Sequence, residues 1–216
     1  MNERAKKKKD QILHSAKELF IDRGFDGTSM DDICKHAGVS KQTIYSYYSG
    51  KDKLLFDVIR HQLFLLEDDE FAAVLDRLDF STPDRIEASL VCFAGQLIDY
   101  FMQADYLQLA RIVVSEAVRY PQLAHLFRQA VPLRGLRNVE RLLEKAEQSD
   151  YVAINDIQIA ARGFVGMLLT YVFIDGVLSG DTRAEKPTHE QIREIVRFYL
   201  PSILTDSRTQ KEEKEK

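Results

Sequence analysis

The chain has 216 residues, of which 45% are hydrophobic and 30% are charged, and its net charge is −4. That length and apolar fraction fit one large or two small globular domains whose core needs no disulfide staple. The acidic balance argues against a general nucleic-acid binder, but residues 1–60 carry 12 Lys and Arg against 9 Asp and Glu, so one end of the chain is mildly basic.

The first nine residues contain four consecutive lysines, Lys6 to Lys9. This run is either a solubilising tail or a basic arm that reaches the DNA backbone, and the sequence does not choose between the two. The segment lacks an apolar core, so it does not predict a signal peptide. Cys34 and Cys92 are the only cysteines, and neither has an activating base beside it, so we expect reduced thiols and a cytoplasmic protein.

A first short helix is predicted from about residue 29, because apolar residues recur there at i, i+3, i+4 and i+7. These residues are Met30, Ile33, Cys34 and Ala37. Thr28 or Ser29 can cap the start of the helix, and Thr28 with Asp31 has the spacing of a capping box. Gly38 follows the last periodic residue, where helices commonly end in the left-handed conformation.

A second short helix is predicted after the turn Gly38-Val39-Ser40. Ser40 can cap it by accepting a hydrogen bond from a backbone amide two or three residues later. Ile44 and Tyr48, at i and i+4, form its inward face, whereas Gln42 points the opposite way. Two short helices around a tight turn predict a helix-turn-helix with its second helix in the major groove. Short helix–Gly–helix segments also occur in all-helical proteins that bind no DNA.

The side chains of this second helix are of the kind that reads DNA. Gln42 can make a bidentate contact to adenine, and Lys41 can reach a guanine edge or a phosphate. Thr43 offers a hydroxyl and a methyl group. Phosphate contacts, which set register rather than sequence preference, are predicted for Tyr45, Tyr47 and Lys51.

Residues 8–58 resemble, without a gap, the DNA-binding head of the tetracycline-repressor (TetR/AcrR-type) family of bacterial transcription regulators. The resemblance rests on Ile12–Phe20, Gly24-Phe25, Thr28-Ser29, Ile33, Ala37–Lys41, Thr43–Tyr45, Tyr48, Lys51-Asp52 and Leu54-Leu55. It implies a homodimeric, ligand-responsive repressor with a three-helix DNA head.

The resemblance also implies which positions touch DNA. With the cap residue Ser40 added, the predicted DNA-binding set is Thr28, Ser40, Lys41, Gln42, Thr43, Tyr45, Tyr47 and Lys51. Tyr48 corresponds to an aromatic core position and is left out. The chain departs from the family pattern at two places. Gln42 stands where many members have glycine, which adds a possible base reader, and Ser49-Gly50 replaces a more usual basic or polar pair, which can remove one backbone contact.

The rest of the chain reads as a series of amphipathic helices. A leucine-rich stripe from Asp52 to about Phe71, which includes Leu66, predicts one helix that joins the head to the body. Further helices are predicted from Pro83 to Phe101, from Tyr106 to Tyr120, and onward from Pro121, with a break or kink at Pro132.

The last two predicted helices differ from the others in their apolar surface. Residues 155–179 are apolar on nearly all sides, and the final helix carries a clean apolar stripe from Ile192 to Ile203. Such a pair can form a four-helix interface with a second copy of the chain, or it can be an ordinary internal core. The most apolar run, Gly163 to Ile174, is expected to be too short to span a bilayer. Residues 206–216 are predicted to be disordered.

Residues 111–123 resemble the body of AefR-type members of the same family. This implies an effector pocket among the central helices but names no ligand. The candidate lining residues are Phe93, Gln96, Tyr100, Arg111, Val114, Phe127 and Tyr171. Each also has an ordinary explanation, since aromatic residues at helical spacing are usually core and Arg111 can pair with Glu116 or Asp105. We expect a mostly apolar small molecule.

The predicted architecture is therefore all-α, with a three-helix DNA-binding head and a larger helical domain for ligand binding and dimerisation. The predicted domains are residues 1–55, with 1–9 as a basic arm, residues 56–205, and the tail 206–216. The predicted function is a sequence-specific transcriptional regulator, a repressor that a small-molecule effector releases from a near-palindromic operator in double-stranded DNA. The alternative is a DNA-bound architectural or cell-division factor that acts through a protein partner.

An enzyme is a third possible class for this chain. The chain has no Gly-rich phosphate loop, no His-Glu-x-x-His spacing and no nucleophile elbow, and its five histidines are scattered. The sequence therefore predicts no catalysis, no metal and no cofactor, and it predicts no association with a membrane.

Overall fold

The computed structural model describes residues 3–63, 68–130, 132–179 and 184–205. Within these ranges the chain is helical and forms no strand, which confirms the predicted all-α class. The helices are α1 (Glu3–Arg23), α2 (Met30–His36), α3 (Lys41–Tyr47), α4 (Lys51–Leu63), α5 (Asp68–Arg77), α6 (Pro83–Phe101), α7 (Ala104–Glu116), α8 (Pro121–Ala130), α9 (Pro132–Ala146), α10 (Ile157–Thr170), a π-helix (Tyr171–Val177), α11 (His189–Tyr199) and a 3₁₀ turn (Leu200–Ser202). Leu66 and the predicted tail 206–216 lie outside the described residues.

The described residues group into two compact units. The first unit draws on residues 1–65 and 108–131, and the second on residues 66–107 and 132–216. Helix α7 therefore begins in the second unit and ends in the first. The predicted domain boundary between residues 55 and 56 lies inside the continuous helix α4, so the division into functional domains stays a prediction.

The core of the first unit is formed where α1, α2, α3 and α4 meet. Its fully buried side chains include Ile12 and Phe20 of α1, Ile33 of α2, Ile44 of α3 and Ile59 of α4. The predicted apolar faces of the two short helices are thus confirmed, because a seven-residue helix is stable only when such a face is packed. This packing fixes α3 from behind and leaves its other side free.

Both ends of α2 are capped, but the residue that caps its start differs from the prediction. Ser29, not Thr28, caps α2: the Asp32 amide donates to the Ser29 hydroxyl at 3.1 Å, and the Ser29 amide donates to the Asp32 carboxylate at 3.1 Å. The predicted capping box of Thr28 and Asp31 is therefore wrong by one residue. Gly38 has a φ of +60°, which confirms the predicted left-handed end of α2.

The connector helix predicted from Asp52 to Phe71 is helical at both ends of its described part. Helix α4 reaches Leu63 and α5 begins at Asp68. Residues 64–67 lie outside the described residues, so the single continuous connector stays a prediction.

Helix α8 completes the first unit. It packs against α4, and the turn before it, residues 117–120, contacts the loop after α1. The Tyr120 and Phe25 rings meet edge to face with centroids 5.5 Å apart, and the Arg119 guanidinium lies 2.9 Å from the Asp26 carboxylate. The predicted helix 106–120 ends earlier than expected, at Glu116, and Pro121 starts the next helix as predicted.

Helices α6, α9, α10 and α11 form the core of the second unit. Thr82 caps α6, and the predicted helix start with Pro83 in the first turn is confirmed. Phe164 of α10 stacks on Phe93 at 6.4 Å and meets Tyr199 of α11 at 5.2 Å. The Tyr199 hydroxyl donates to the Ala160 carbonyl at 3.1 Å, so this buried phenol keeps a hydrogen-bond partner.

The helical segment Ile157–Val177 is longer than the sequence indicated. Helix α10 and the π-helix form one continuous stretch of 21 residues that contains an 18-residue window with a mean hydropathy of 1.7. By length and composition alone it could cross a bilayer, so the expectation that this apolar run is too short was wrong. It was wrong because the helix continues past Arg162 at one end and Asp175 at the other. One side of α10, at Phe164 and Leu168, packs into the core of the second unit.

Gly176 in the π-helix is packed tightly against the start of α7. A Cβ atom at Gly176 would lie 2.7 Å from Leu107 Cδ2 and 3.1 Å from Met102 Sδ, and Leu107 is itself buried. We therefore expect Gly176→Ala to lower the free energy of unfolding by about 1–2 kcal/mol, the usual effect of overpacking. Gly95→Ala in α6 is the matched control, because a Cβ there meets nothing within 4 Å and should stabilise the helix by up to about 1 kcal/mol. Urea denaturation measures both, and equal shifts of the same sign would contradict the expectation.

Candidate nucleic-acid interface

Helix α3 is held in place by one cap and one buried side chain. The Thr43 amide donates to the Ser40 hydroxyl at 3.1 Å, and the two hydroxyls are 2.8 Å apart, so the predicted cap is confirmed. Ile44 is completely buried, and Tyr48 ends the helix with its amide donating to the Ile44 carbonyl at 2.9 Å. Both ends and the inner face of α3 are therefore fixed before any partner binds.

The outer face of α3 presents the predicted readers to solvent. Lys41, Gln42 and Tyr45 are exposed, and Tyr45 retains 51% of its accessible surface. An exposed amide, an exposed ammonium and an exposed phenol on one rigid helix can donate and accept hydrogen bonds at base edges and phosphates.

Lys41 forms an ion pair within the free protein. Its ammonium lies 2.6 Å from the Asp31 carboxylate, and this hydrogen bond raises the pKa of Lys41. Both partners are largely exposed, and exposed ion pairs contribute little to stability. A DNA phosphate can therefore take the place of Asp31 at little cost.

Two predicted phosphate contacts are engaged inside the head. The Lys51 ammonium donates to the Phe25 carbonyl at 2.5 Å and lies 4.3 Å from the centre of the Phe25 ring. An ammonium has three donors, so one bond to a carbonyl leaves two for a phosphate. The Tyr47 hydroxyl donates to the Ala5 carbonyl at a long 3.4 Å, which leaves it weakly held.

Thr28 is the predicted DNA contact whose side chain is least accessible. It is 2% exposed, and its hydroxyl donates to the Leu19 carbonyl at 3.0 Å and the Gly24 carbonyl at 2.9 Å. In this structure its side chain closes the loop between α1 and α2. A direct contact of Thr28 with DNA stays a prediction.

A carboxylate behind α3 was missed by the sequence reasoning. Asp57 of α4 accepts from the Tyr48 hydroxyl at 3.1 Å, the Lys9 ammonium at 2.9 Å and the Arg60 guanidinium at 2.6 Å. We call these four residues the Asp57 network. Burial raises the pKa of the Asp57 carboxyl, but the Lys9 hydrogen bond and the nearby Arg60 charge outweigh it, so the pKa lies below the ordinary value. The one available signal was Tyr48, since a buried phenol needs a hydrogen-bond partner.

The candidate effector residues are divided between the two units. Phe93, in the second unit, is buried and stacks on Phe164. Tyr100, in the same unit, packs against Tyr106 with ring centroids 5.7 Å apart, and burial raises the pKa of both phenols. Tyr171 is half-buried beside the same core. Arg111, Val114 and Phe127 belong to the first unit.

Each unit has a surface groove. One, of about 530 Å³ in the first unit, is lined by residues that include Tyr47, Tyr48, Phe56, Arg60 and Leu126. The other, of about 580 Å³ between α6 and α11, includes one candidate effector residue, Gln96. Neither groove encloses the candidate effector residues, and the role of these residues in ligand binding stays a prediction.

The fold and the face of α3 define a helix-turn-helix DNA-binding protein. Residues 12–58 match the model of the bacterial regulatory proteins of the tetR family, and residues 88–201 match that of the AefR-like transcriptional repressor C-terminal domain. The second match spans more than half of the chain. The chain therefore belongs to the TetR family of transcriptional regulators.

Individual relatives agree with this assignment. The HTH-type transcriptional regulator SrpR of Pseudomonas putida is 25% identical over 182 residues, which cover 84% of this chain and 80% of that protein. A TetR-family regulator from Mesorhizobium loti has a TM-score of 0.81 at 25% identity, with 94% of this chain and 100% of that chain covered. The flavonoid-responsive regulator FrrA has a TM-score of 0.69 at 27% identity, with 93% and 99% covered.

These matches confirm that the chain is a transcriptional regulator with a DNA-binding head and a helical C-terminal domain. The relatives named are regulators rather than enzymes. Among the residues that the structure describes, no group of three or more His, Cys, Asp or Glu side chains is arranged to hold a metal ion.

Proposed function

We propose that the chain is a homodimeric repressor that binds a near-palindromic operator and is released by a small molecule. The observation that carries the proposal is the exposed row on α3, Lys41, Gln42 and Tyr45, on a helix that Ser40 and Ile44 hold rigid. Two such helices in a symmetric dimer would enter successive major grooves about 34 Å apart. The protein would act in the cytoplasm, where its operator is.

The proposed roles of the side chains follow from their positions. Gln42 would read adenine, Lys41 a guanine edge or a phosphate, and Thr43 a base edge through its hydroxyl or methyl group. Tyr45, Tyr47 and Lys51 would hold phosphates and set the register. Ser40 and Thr28 would act mainly by holding the two short helices in position, since both hydroxyls are occupied inside the head.

The proposed dimer uses the last two helical segments. Exposed apolar side chains are concentrated there among the described residues: Ile159, Phe173, Ile174, Leu178 and Phe198. Apolar surface of this kind is usually covered by a partner, and a two-fold axis would place the same patch of each protomer against the other.

The proposed effector is a mostly apolar small molecule bound by the C-terminal domain. The relative FrrA is named as flavonoid-responsive, which favours an aromatic compound here. By reciprocity, an effector that weakens operator binding must itself bind more weakly when the operator is present. A thermal-shift screen of aromatic compounds, with and without operator DNA, tests this, and a hit unaffected by operator would contradict release by that ligand.

Two substitutions on α3 separate base reading from backbone contact. We expect Gln42→Ala to reduce discrimination between the operator and a single-base variant by about tenfold, because one bidentate pair is worth about 1–3 kcal/mol. Tyr47→Phe, which keeps the ring but removes the hydroxyl, should weaken binding to all sequences alike. Fluorescence anisotropy on the intergenic DNA upstream of the gene, with random competitor, measures both. An equal loss on every sequence for Gln42→Ala would rule out base reading.

A further inference from the structure

The start of α1 reaches the recognition helix and the turn before it through two hydrogen bonds. The side-chain amide of Gln11 donates to the Ala37 carbonyl, just before the turn that leads into α3, at 2.8 Å. The Tyr47 hydroxyl, at the other end of α3, donates to the Ala5 carbonyl at 3.4 Å. Six residues of helix rise about 9 Å, close to the length of α3. Residues 5–11 of α1 therefore reach both the turn before α3 and the last residue of α3.

Two of the four lysines share the face of α1 that meets the turn. Lys7 and Lys8 precede Gln11 by four and three residues, so their side chains lie on its side of the helix. Lys6 precedes Gln11 by five residues and lies about 140° around the helix, toward the side of Asp10. Lys6, Lys7 and Lys8 are all exposed.

Lys9 anchors this segment instead of extending its charged surface. Its ammonium lies 2.9 Å from the Asp57 carboxylate in the Asp57 network, and it is half-buried. The first two turns of α1 are therefore fixed to α4 by Lys9 and touch α3 through Ala5. This fixes the direction in which Lys7 and Lys8 project relative to α3.

The positive charges of Lys6 to Lys9 disfavour the start of helix α1. Positive side chains near a helix N-terminus oppose the backbone dipole, and adjacent like charges repel. A polyanion on the exposed face would remove both penalties. Duplex DNA is the partner that fits, because Tyr47, a proposed phosphate contact of α3, is hydrogen-bonded to Ala5 in this segment.

We propose that Lys7 and Lys8 bind backbone phosphates beside the bases read by α3, so that the first two turns of α1 are a second, sequence-independent part of the DNA interface. This inference rests on the proposed function, since it needs the operator to lie against α3. Its contribution is electrostatic, so it appears in the salt dependence of binding and adds nothing to sequence preference.

The test compares lysines on two faces of one helix. Each phosphate contact contributes about 0.9 to the slope of log affinity against log salt. A dimer presents both lysines twice, so the double variant Lys7→Gln/Lys8→Gln removes four contacts and should lose about 3.6 from the slope and about 100-fold in affinity at moderate salt, equally on operator and random-sequence duplexes. Lys6→Gln is the matched control and should change affinity by less than about twofold. Lys7→Arg/Lys8→Arg should restore the parent slope.

The outcomes separate this inference from the function on which it rests. If the parent protein binds its operator specifically but the double variant keeps the parent slope, or Lys6→Gln loses as much per lysine, the lysine inference is overturned and the repressor proposal stands. If the parent binds operator no better than random DNA, the repressor proposal fails, while the slopes on random DNA still decide whether Lys7 and Lys8 hold phosphates. If the parent binds neither duplex, both proposals fall.

Discussion

Phe198→Asp is expected to convert the protein into a monomer and to weaken operator binding by about 100-fold or more. Phe198 is 81% exposed on α11, on the side opposite the buried residues Ile192 and Val196. A charge there leaves the core of the protomer intact but would be buried unpaired in the proposed interface. Losing the dimer removes the gain from binding two half-sites at once, which is commonly about 10²–10⁴.

Val118→Asp provides the control for this expectation. Val118 is 92% exposed and apolar, but it lies in the turn after α7 rather than in the last two helical segments. The Val118→Asp variant should keep the dimer mass and the operator affinity of the parent protein. Light scattering after size-exclusion chromatography gives the mass, and circular dichroism checks folding. A folded Phe198→Asp protein that remains dimeric would place the interface elsewhere.

The recognition helix could be predicted because its signals are local. The cap Ser40, the left-handed Gly38 and the inward pair Ile44 and Tyr48 lie within eleven residues, and each acts on the backbone near it. The capping error at Thr28 has the same origin. Thr28 and Ser29 satisfy the same short-range pattern, and only the hydrogen bonds from the Thr28 hydroxyl back to the Leu19 and Gly24 carbonyls decide between them.

The supports of the head could not be predicted, because they join residues far apart in sequence. Arg119 and Asp26 are 93 residues apart and meet only because α8 packs on α4. Lys9 and Asp57 meet because α1 and α4 cross. Charged residues at such separations have many possible partners, and helical periodicity gives no information about which pair forms.

The candidate effector residues illustrate a different limit. An aromatic side chain at helical spacing is equally suited to a core and to a pocket. In the structure Phe93 stacks on Phe164, and Tyr100 packs on Tyr106. Periodicity identifies the inward face of a helix, but only the packing of neighbouring helices determines whether that face is filled by protein or open to a ligand.

Asp57→Asn is expected to destabilise the head by about 2 kcal/mol and to weaken binding to every DNA sequence. The Asp57 carboxylate accepts from Tyr48, Lys9 and Arg60 and is 19% exposed. Asparagine removes the negative charge that the two cations face and replaces one of the two acceptor oxygens with an NH2 donor. Hydrogen bonds to charged groups are worth about 1.5–3 kcal/mol. Tyr48 ends α3, so the loss should also loosen the end of the helix that carries Tyr47.

The pH dependence of this effect has a definite sign. The pKa of the Asp57 carboxyl is lowered in the folded protein, because the charges of Lys9 and Arg60 outweigh burial. A lowered pKa contributes stability above the unfolded value, about 3.9, and that stability is lost as the pH falls through the folded value. The difference between parent and Asp57→Asn should therefore be full near neutral pH and shrink below about pH 4.

The matched control is Asp99→Asn, which removes a carboxylate from an exposed pair. Asp99 is 74% exposed and lies 2.8 Å from the Lys186 ammonium, and pairs of this kind contribute about 0–1 kcal/mol. Urea denaturation of the three proteins at pH 7 and near pH 3.5 gives the comparison. Equal, small losses for both variants at pH 7 would show that Asp57 is only a surface charge. A loss for Asp57→Asn that persists undiminished in acid would instead mean that the carboxylate's packing, not its charge, holds α3 in place.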